Sequence, residues 1–360
     1  MLKIFRLWWL FFALAVGSFF ATDAQEDTVH ETQFSAKGKS KKRKKRRRAR
    51  ARKRKKMSIA PQLLSSLKKD NLEKVFVQRW SWLGISNFAY ANDGDLGEVP
   101  FKNTTPFVPE EVPAGSVIFA TAFSMDTFFN EIHPRIRNPY ILVTICHAPH
   151  MSDPRYLNDP KIIAWFGSPN DVAMQSPKFT PIPLGIIRGE EWFLKRHKLY
   201  HHFNKLKKRP KTELLYGNFT LHAGFDTGRR GVYEAFKDKP FCTMASRKPF
   251  LEYMEEMSQY KFVLSPWGDI VDCYRHWEAM LVGAIPIMQS SQALESLCAD
   301  LPVILVKDWS EVTEEFLNRK YEEMKGKQYN LRKLYMQYWV DKINEKKQEF
   351  FSKCSPNGGT

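Results

Sequence analysis

The stretch that decides the fold is Tyr260–Ser290, YKFVLSPWGDIVDCYRHWEAMLVGAIPIMQS. Tyr260–Leu264 is apolar and reads as a buried strand, which Ser265-Pro266-Trp267-Gly268 breaks. Asp272–Leu281 places apolar residues at helical period, Gly283 stops that helix, and Ile285-Pro286-Ile287-Met288 opens the next strand. Strand, loop, helix and strand make the repeating unit of a parallel α/β sheet. The polar residues collect where strand hands over to helix, the place where such sheets bind phosphate. Arg275 and Glu278 are three apart and share one helix face. A guanidinium can hold a diphosphate bidentately and a carboxylate can accept from ribose hydroxyls, the chemistry of a nucleotide-sugar site. Ser265 and Gly268 add a hydroxyl and a backbone N–H, or simply a turn. Trp267 either stacks on a base or fills a wall. Asp272 reads as the cap or first-turn acid of the helix.

Outward from this stretch the alternation continues. Leu214, Phe241–Met244 and Val303–Val306 read as strands, and Val232–Phe236 and Pro249–Met257 as helices. Upstream, Phe76–Gln78, Val117–Ala120, Tyr140–Cys146, Ile162–Phe166 and Thr180–Leu184 read as strands, with a helix over Met125–Ile132 ended by Pro134. His197–Pro210 is a basic helix running into a linker. Glu311–Met324 and Leu331–Phe351 are long charged amphipathic helices. The expected fold is α/β, with two Rossmann-like domains over residues 58–210 and 211–330 and a C-terminal helical extension over 331–360.

The chain of 360 residues carries a net charge of +17, which suggests a nucleic-acid binder until its distribution is read. Lys37–Lys56 holds 16 Lys or Arg in 20 residues and no acid, and the rest of the chain sums to +1. Residues 25–57 are therefore expected to be a disordered basic linker, solvated or bound to anionic lipid or nucleic acid. Before it, Lys3 and Arg6 precede an apolar run, Leu7–Ala21. Residues 1–24 fit a signal peptide with a cleavage site near Ala24. The basic block behind them tilts the reading towards a membrane anchor. Either gives membrane association, on the cytoplasmic face in a bacterium or in the Golgi or ER lumen in a eukaryote.

Five scattered cysteines, Cys146, Cys242, Cys273, Cys298 and Cys354, form neither a disulfide framework nor a C-x-x-C pair, and several read as buried thiols. Asn103-Thr104-Thr105 and Asn218-Phe219-Thr220 fit the glycosylation sequon. Asp93-Gly94-Asp95 mimics a D-x-D metal motif, but it sits in a turn-rich loop and reads as a solvated turn. No P-loop, hydrolase elbow or H-E-x-x-H motif is present.

Two further sets carry chemistry. Arg229 and Arg230 follow the Gly224–Gly228 loop; Arg230 is the choice for a cation against the diphosphate, with Arg247 competing. Cys146–Asp153, CHAPHMSD, follows an apolar strand and supplies Asp153, His147 and His150 as alternative general bases.

The residues Ser265, Pro266, Gly268, Arg275, Trp277, Glu278, Ala279, Gly283, Ile285, Pro286 and Ile287 resemble the C-terminal half of exostosin-like glycosyltransferases, in which a strand is followed by S-P-x-G, R-x-W-E-A and G-x-I-P. Two looser blocks support it. One is Leu215–Phe219 with Arg229-Arg230 and Phe241–Thr243. The other is Cys146-His147 with Ile162–Phe166 and Ile182–Ile186. The resemblance implies a GT-B fold with the donor bound mainly by the second domain and a last helix crossing back onto the first. It implies transfer of a sugar from a nucleoside diphosphate to a hydroxyl of a glycan, glycolipid or glycoprotein. Inversion is expected, with no bound cofactor and no metal; Arg275 and Arg230 supply the charge. One alternative is a fucosyltransferase-like enzyme with a guanosine diphosphate donor. The other is a non-catalytic protein that binds polyanions through Lys37–Lys56.

Overall fold

The structure, a computed structural model, describes residues 70–90, 108–121, 124–145, 153–186, 192, 195–221, 228–268 and 270–354. All of them lie in one compact unit, Ile59–Thr360. Leu7–Ala21, Lys37–Lys56, Asp93-Gly94-Asp95, Asn103, Cys146, His147, His150 and most of the Gly224–Gly228 loop lie outside the described residues.

The unit is α/β, built on two parallel five-stranded sheets. The first runs in consecutive order through β1 (Phe88–Tyr90), β2 (Ser116–Thr121), β3 (Tyr140–Ile145), β4 (Ile162–Gly167) and β5 (Phe179–Pro181). β2, β3 and β4 are buried at every position. A strand covered on both faces has no polar side to show, which is why these read as unbroken apolar runs.

The second sheet holds β6 (Glu213–Gly217), β7 (Cys242–Met244), β8 (Tyr260–Leu264), β9 (Ile285–Gln289) and β10 (Ile304–Val306), ordered β10-β9-β8-β6-β7. The chain leaves β6 for β7 on one side, then returns to pair β8 on the other. In open parallel sheets such a reversal parts the outgoing loops to opposite faces, which places the expected ligand crevice beyond the carboxyl ends of β6 and β8.

The helices that matter here are α1 (Arg79–Ile85), α2 (Arg196–Lys207), α3 (Arg229–Phe236), α4 (Phe250–Met257), α5 (Tyr274–Leu281), α6 (Gln292–Cys298), α7 (Glu314–Met324) and α8 (Met336–Cys354). The final helix, α8, packs against β4 and α1 of the first half, and Trp82 meets Trp339 with ring centroids 5.8 Å apart. Among the described residues no helix is long and apolar enough to cross a membrane.

Two local expectations change. Phe76–Gln78 joins neither sheet. Phe76 makes an isolated antiparallel bridge to Tyr335, Val77 N–H donates to Leu334 O, and Val77 O accepts from Ile186 N–H. The segment is clipped between the start of α8 and the chain leaving β5. That clip requires Gly185, which has φ +73° and whose Cβ would stand 1.8 Å from Val77 O. Met125–Ile132 is not one α-helix: a turn at Met125–Thr127 widens into a π stretch, Phe128–Ile132, and Pro134 lies inside the 3-10 turn that follows. The widened turn puts the adjacent Phe128 and Phe129 both in the core.

Candidate functional site

The crevice beyond β6 and β8 is built from the loops that follow these strands and from the first turns of α3 and α5. β6 ends at Gly217, where a Cβ would meet Met244 Sδ at 2.3 Å, so the Met244 side chain fills the space that the missing Cβ leaves. Asn218 and Phe219 follow. β8 hands over to Ser265–Gly268, and Trp267 is anchored by its indole N–H donating to Gln289 O at 3.0 Å.

Two arginines knit these loops together. Arg275, half-buried in the first turn of α5, donates through Nε to Asn218 O at 2.9 Å and lies over the Phe219 ring, 5.3 Å from its centroid. Arg229, buried in the first turn of α3, donates through Nε to Trp267 O at 2.6 Å and through Nη1 to Thr220 O and Oγ1 at 3.3 and 3.2 Å. A Cβ on Gly268 would meet the Arg229 guanidinium at 3.2 Å, so the glycine makes room for this brace. Arg230 and Arg247 are exposed, and neither has a partner among the described residues. The carboxyl edge of the second sheet thus carries four arginines on three elements, Arg229 and Arg230 on α3, Arg247 after β7 and Arg275 on α5.

Asn218 extends the clamp. Its Nδ2 donates to Tyr216 Oη at 3.0 Å and to Ser246 O at 2.9 Å; Tyr216 Oη donates to Glu256, which pairs with Lys248. An amide engaged this way is poorly placed to carry a glycan at its sequon. One turn beyond Arg275, Glu278 is buried and accepts from Tyr253 Oη at 3.2 Å. Burial first, then the Glu278 charge, holds the Tyr253 phenol well above its ordinary range.

Asp272 is not the expected cap. The N-cap of α5 is Cys273, with no side-chain capping bond. The Asp272 carboxylate is buried and accepts Leu184 N–H at 2.7 Å on one oxygen and the Trp277 indole N–H at 2.8 Å on the other. It ties the chain leaving β5 to the helix start 88 positions away. Burial pushes its pKa up to about 6, against the pull of His276 and the Leu184 N–H. A second carboxylate, Asp171, makes a similar tie, accepting Ala293 N–H of α6 at 2.8 Å.

Ser265, Cys273 and His276 form a buried cluster behind Arg275. Ser265 Oγ lies 2.7 Å from His276 Nδ1 and 3.4 Å from Cys273 Sγ, and Sγ lies 3.5 Å from Nδ1. Sequence reasoning counts Cys273 only among the scattered cysteines and does not reach His276, although their spacing of three at a helix start is a signal for a paired thiol and imidazole.

Of the residues singled out from sequence, Ser265, Gly268, Arg275 and Glu278 gather around α5, Arg230 lies at the start of α3, and Arg247 on the loop after β7. Asp153 belongs to the first half. Its carboxylate caps the short turn Pro154–Leu157 through Arg155 N–H and is held bidentately by the Arg155 guanidinium, the shortest bond being 2.7 Å. Among the described residues no group of three or more His, Cys, Asp or Glu side chains converges to hold a metal.

Residues 237–355 match the family model described as RXYLT1 C-terminal domain, a glycosyltransferase-related family. The match begins at the end of α3 and spans α5 and α8. No curated protein matches the chain in sequence. Among solved structures, the UDP-GlcNAc 2-epimerase of Methanocaldococcus jannaschii is similar at 12% identity over 64% of this chain and 77% of its own, with a TM-score of 0.34. An OtsA apo structure is similar at 10% identity over 67% and 73%, with a TM-score of 0.38. The pneumococcal O-GlcNAc transferase GtfA, in complex with UDP and GlcNAc, is similar at 12% identity over 66% and 52%, with a TM-score of 0.30.

Proposed function

We propose that this chain is a glycosyltransferase of the exostosin type that takes a nucleoside-diphosphate sugar in the crevice beyond β6 and β8. One observation carries the reading: Arg275 is clamped across the strand-order reversal, with Arg230 and Arg247 unpaired at the same sheet edge. The likeness of residues 237–355 to a glycosyltransferase-related family supports it.

The chemistry follows from charge. A departing nucleoside diphosphate gathers negative charge as the glycosidic bond breaks, and a cation already fixed in place stabilises that charge with little reorganisation. Arg275 and Arg230 take this part, Arg247 competing with Arg230. Ser265 and Gly268 shape the loop under the phosphates, and Glu278 receives the ribose hydroxyls. On the acceptor side one of Asp153, His147 and His150 removes the proton of the attacking hydroxyl, with inversion at the sugar carbon. Asp153 must release Arg155 to do so. The acceptor is a glycan, glycolipid or glycoprotein, and the N-terminal apolar run holds the enzyme at a membrane.

Release of nucleoside diphosphate from a panel of uridine and guanosine diphosphate sugars, with and without a mixed glycan acceptor, tests the reading. Turnover of at least one donor is expected. A guanosine-only response selects the fucosyltransferase-like alternative, and no turnover of any donor contradicts the proposal.

A further inference from the structure

We propose that Cys273 is the positioning residue of Arg275, holding its guanidinium from beneath so that the far edge faces the donor diphosphate; this rests on the donor-site reading above. Arg275 Nε is committed to Asn218 O, Nη1 points at Cys273 Sγ 3.7 Å away, and the guanidinium plane lies over Phe219. With Nε and Nη1 engaged in this way, Nη2 is the guanidinium nitrogen that has no partner among the described residues.

The thiol is equipped to be an anion. His276 Nε2 lies 3.2 Å from Val271 O, an acceptor only, so that nitrogen carries a proton. His276 Nδ1 then faces both Ser265 Oγ and Cys273 Sγ, and a proton moved from sulfur to Nδ1 gives a thiolate–imidazolium pair, with no atom or charge gained or lost by the cluster. The groups facing Cys273 are Arg275 and His276 from α5, Asp272 beside it, Ser265 and the Pro266 carbonyl, 3.9 Å from Sγ, from the loop after β8, and Tyr253 from α4. With two anions, Asp272 and Cys273, against two cations, His276 and Arg275, the cluster closes at zero net charge.

The other buried thiols show the contrast. Burial pushes Cys242 and Cys298 up to about 12. Cys273 is as buried, and burial pushes it the same way. His276 and Arg275 overrule that and bring it down to about 5.

Two measurements on the full chain test the proposal. The first needs no ligand. Ultraviolet thiolate absorbance of the wild type, minus that of Cys273→Ser, should rise through a single step near pH 5. In Arg275→Gln, measured against Arg275→Gln with Cys273→Ser, that step should move up by about one pH unit or more. A step that stays put, or no step below pH 8, overturns the proposal. The second is a double-mutant cycle on the affinity for UDP and GDP. Cys273→Ser should weaken binding by about tenfold, and by nothing further once Arg275 is Gln. Equal losses in both backgrounds overturn the positioning role. If Arg275→Gln alone leaves both affinities unchanged, the donor-site reading fails, and the thiolate step still decides whether Cys273 and Arg275 are coupled.

Discussion

Arg275 donates through Nε to the main-chain carbonyl of Asn218, 57 positions earlier, at 2.9 Å, so the first turn of α5 is locked to the end of β6. The bond spans the point where the strand order reverses, and it spends the inward edge of a planar fork. Lysine has no such fork. Arg275→Lys should therefore fail to restore donor binding and lose about as much as Arg275→Ala, on the order of tenfold or more. Titration of both variants with the preferred donor checks this; near-normal binding by Arg275→Lys would reduce the role to bare charge.

Asp272 sets a pH dependence whose sign is fixed. Its ordinary carboxyl pKa is 3.8 and burial raises it to about 6 in the folded chain. Between those values the folded chain keeps a proton that the unfolded chain has lost. Its contribution to stability is therefore greatest below about pH 4 and falls as pH rises towards about 6. Asp272→Asn removes this titration and leaves its amide nitrogen against a donor. A loss of about 1–3 kcal/mol is expected, largest at low pH and narrowing as pH rises through the window. Urea unfolding of both chains across pH 4–7 measures the gap; a gap that widens with pH would contradict the assignment.

Two glycines with nearly the same dihedral should respond differently. Gly185 has φ +73° and a Cβ would strike Val77 O at 1.8 Å, whereas Gly228 has φ +70° and nothing within 4 Å. Gly228→Ala should cost only the left-handed strain, about 1–2 kcal/mol. Gly185→Ala should cost that plus a displaced backbone. Thermal melts of the two variants give the comparison, and equal losses would mean that residues 75–77 and 184–186 do not pass as closely as described.

Turnover is expected to persist in excess chelator, because Arg230, Arg247 and Arg275 already supply positive charge at the sheet edge. Asp93→Asn together with Asp95→Asn should be nearly silent. Loss of activity in chelator, restored by manganese or magnesium, would return Asp93-Gly94-Asp95 to the site.

The second sheet was legible chiefly through β8 and β9, mostly apolar runs closed by Ser265 and Ser290; Tyr260–Leu264 matches its strand residue for residue. α1 was not, since RWSWLGI is buried from Trp80 to Gly84 and shows no amphipathic period. Phe76–Gln78 has strand composition, but its partners are the approaches to α8 and the exit of β5, contacts that no local pattern encodes. At the site, Arg275 and Glu278 follow from helix spacing. The choice between Arg229 and Arg230 does not, because it depends on which side of α3 faces Trp267. Asp272 looked like a cap because it stands just before a helix, yet its partner Leu184 lies 88 residues away. Local rules see the helix start and not the segment that crosses it.

The most direct measurement is calorimetric titration of the full chain with uridine and guanosine diphosphate sugars, repeated on Arg275→Ala and Glu278→Gln. At least one donor should bind the wild type, and each substitution should weaken it by roughly 10- to 150-fold while the melting transition stays cooperative, the loss of one charge-assisted hydrogen bond being worth about 1.5–3 kcal/mol. Unchanged affinity in both folded variants would remove the donor from the crevice beyond β6 and β8.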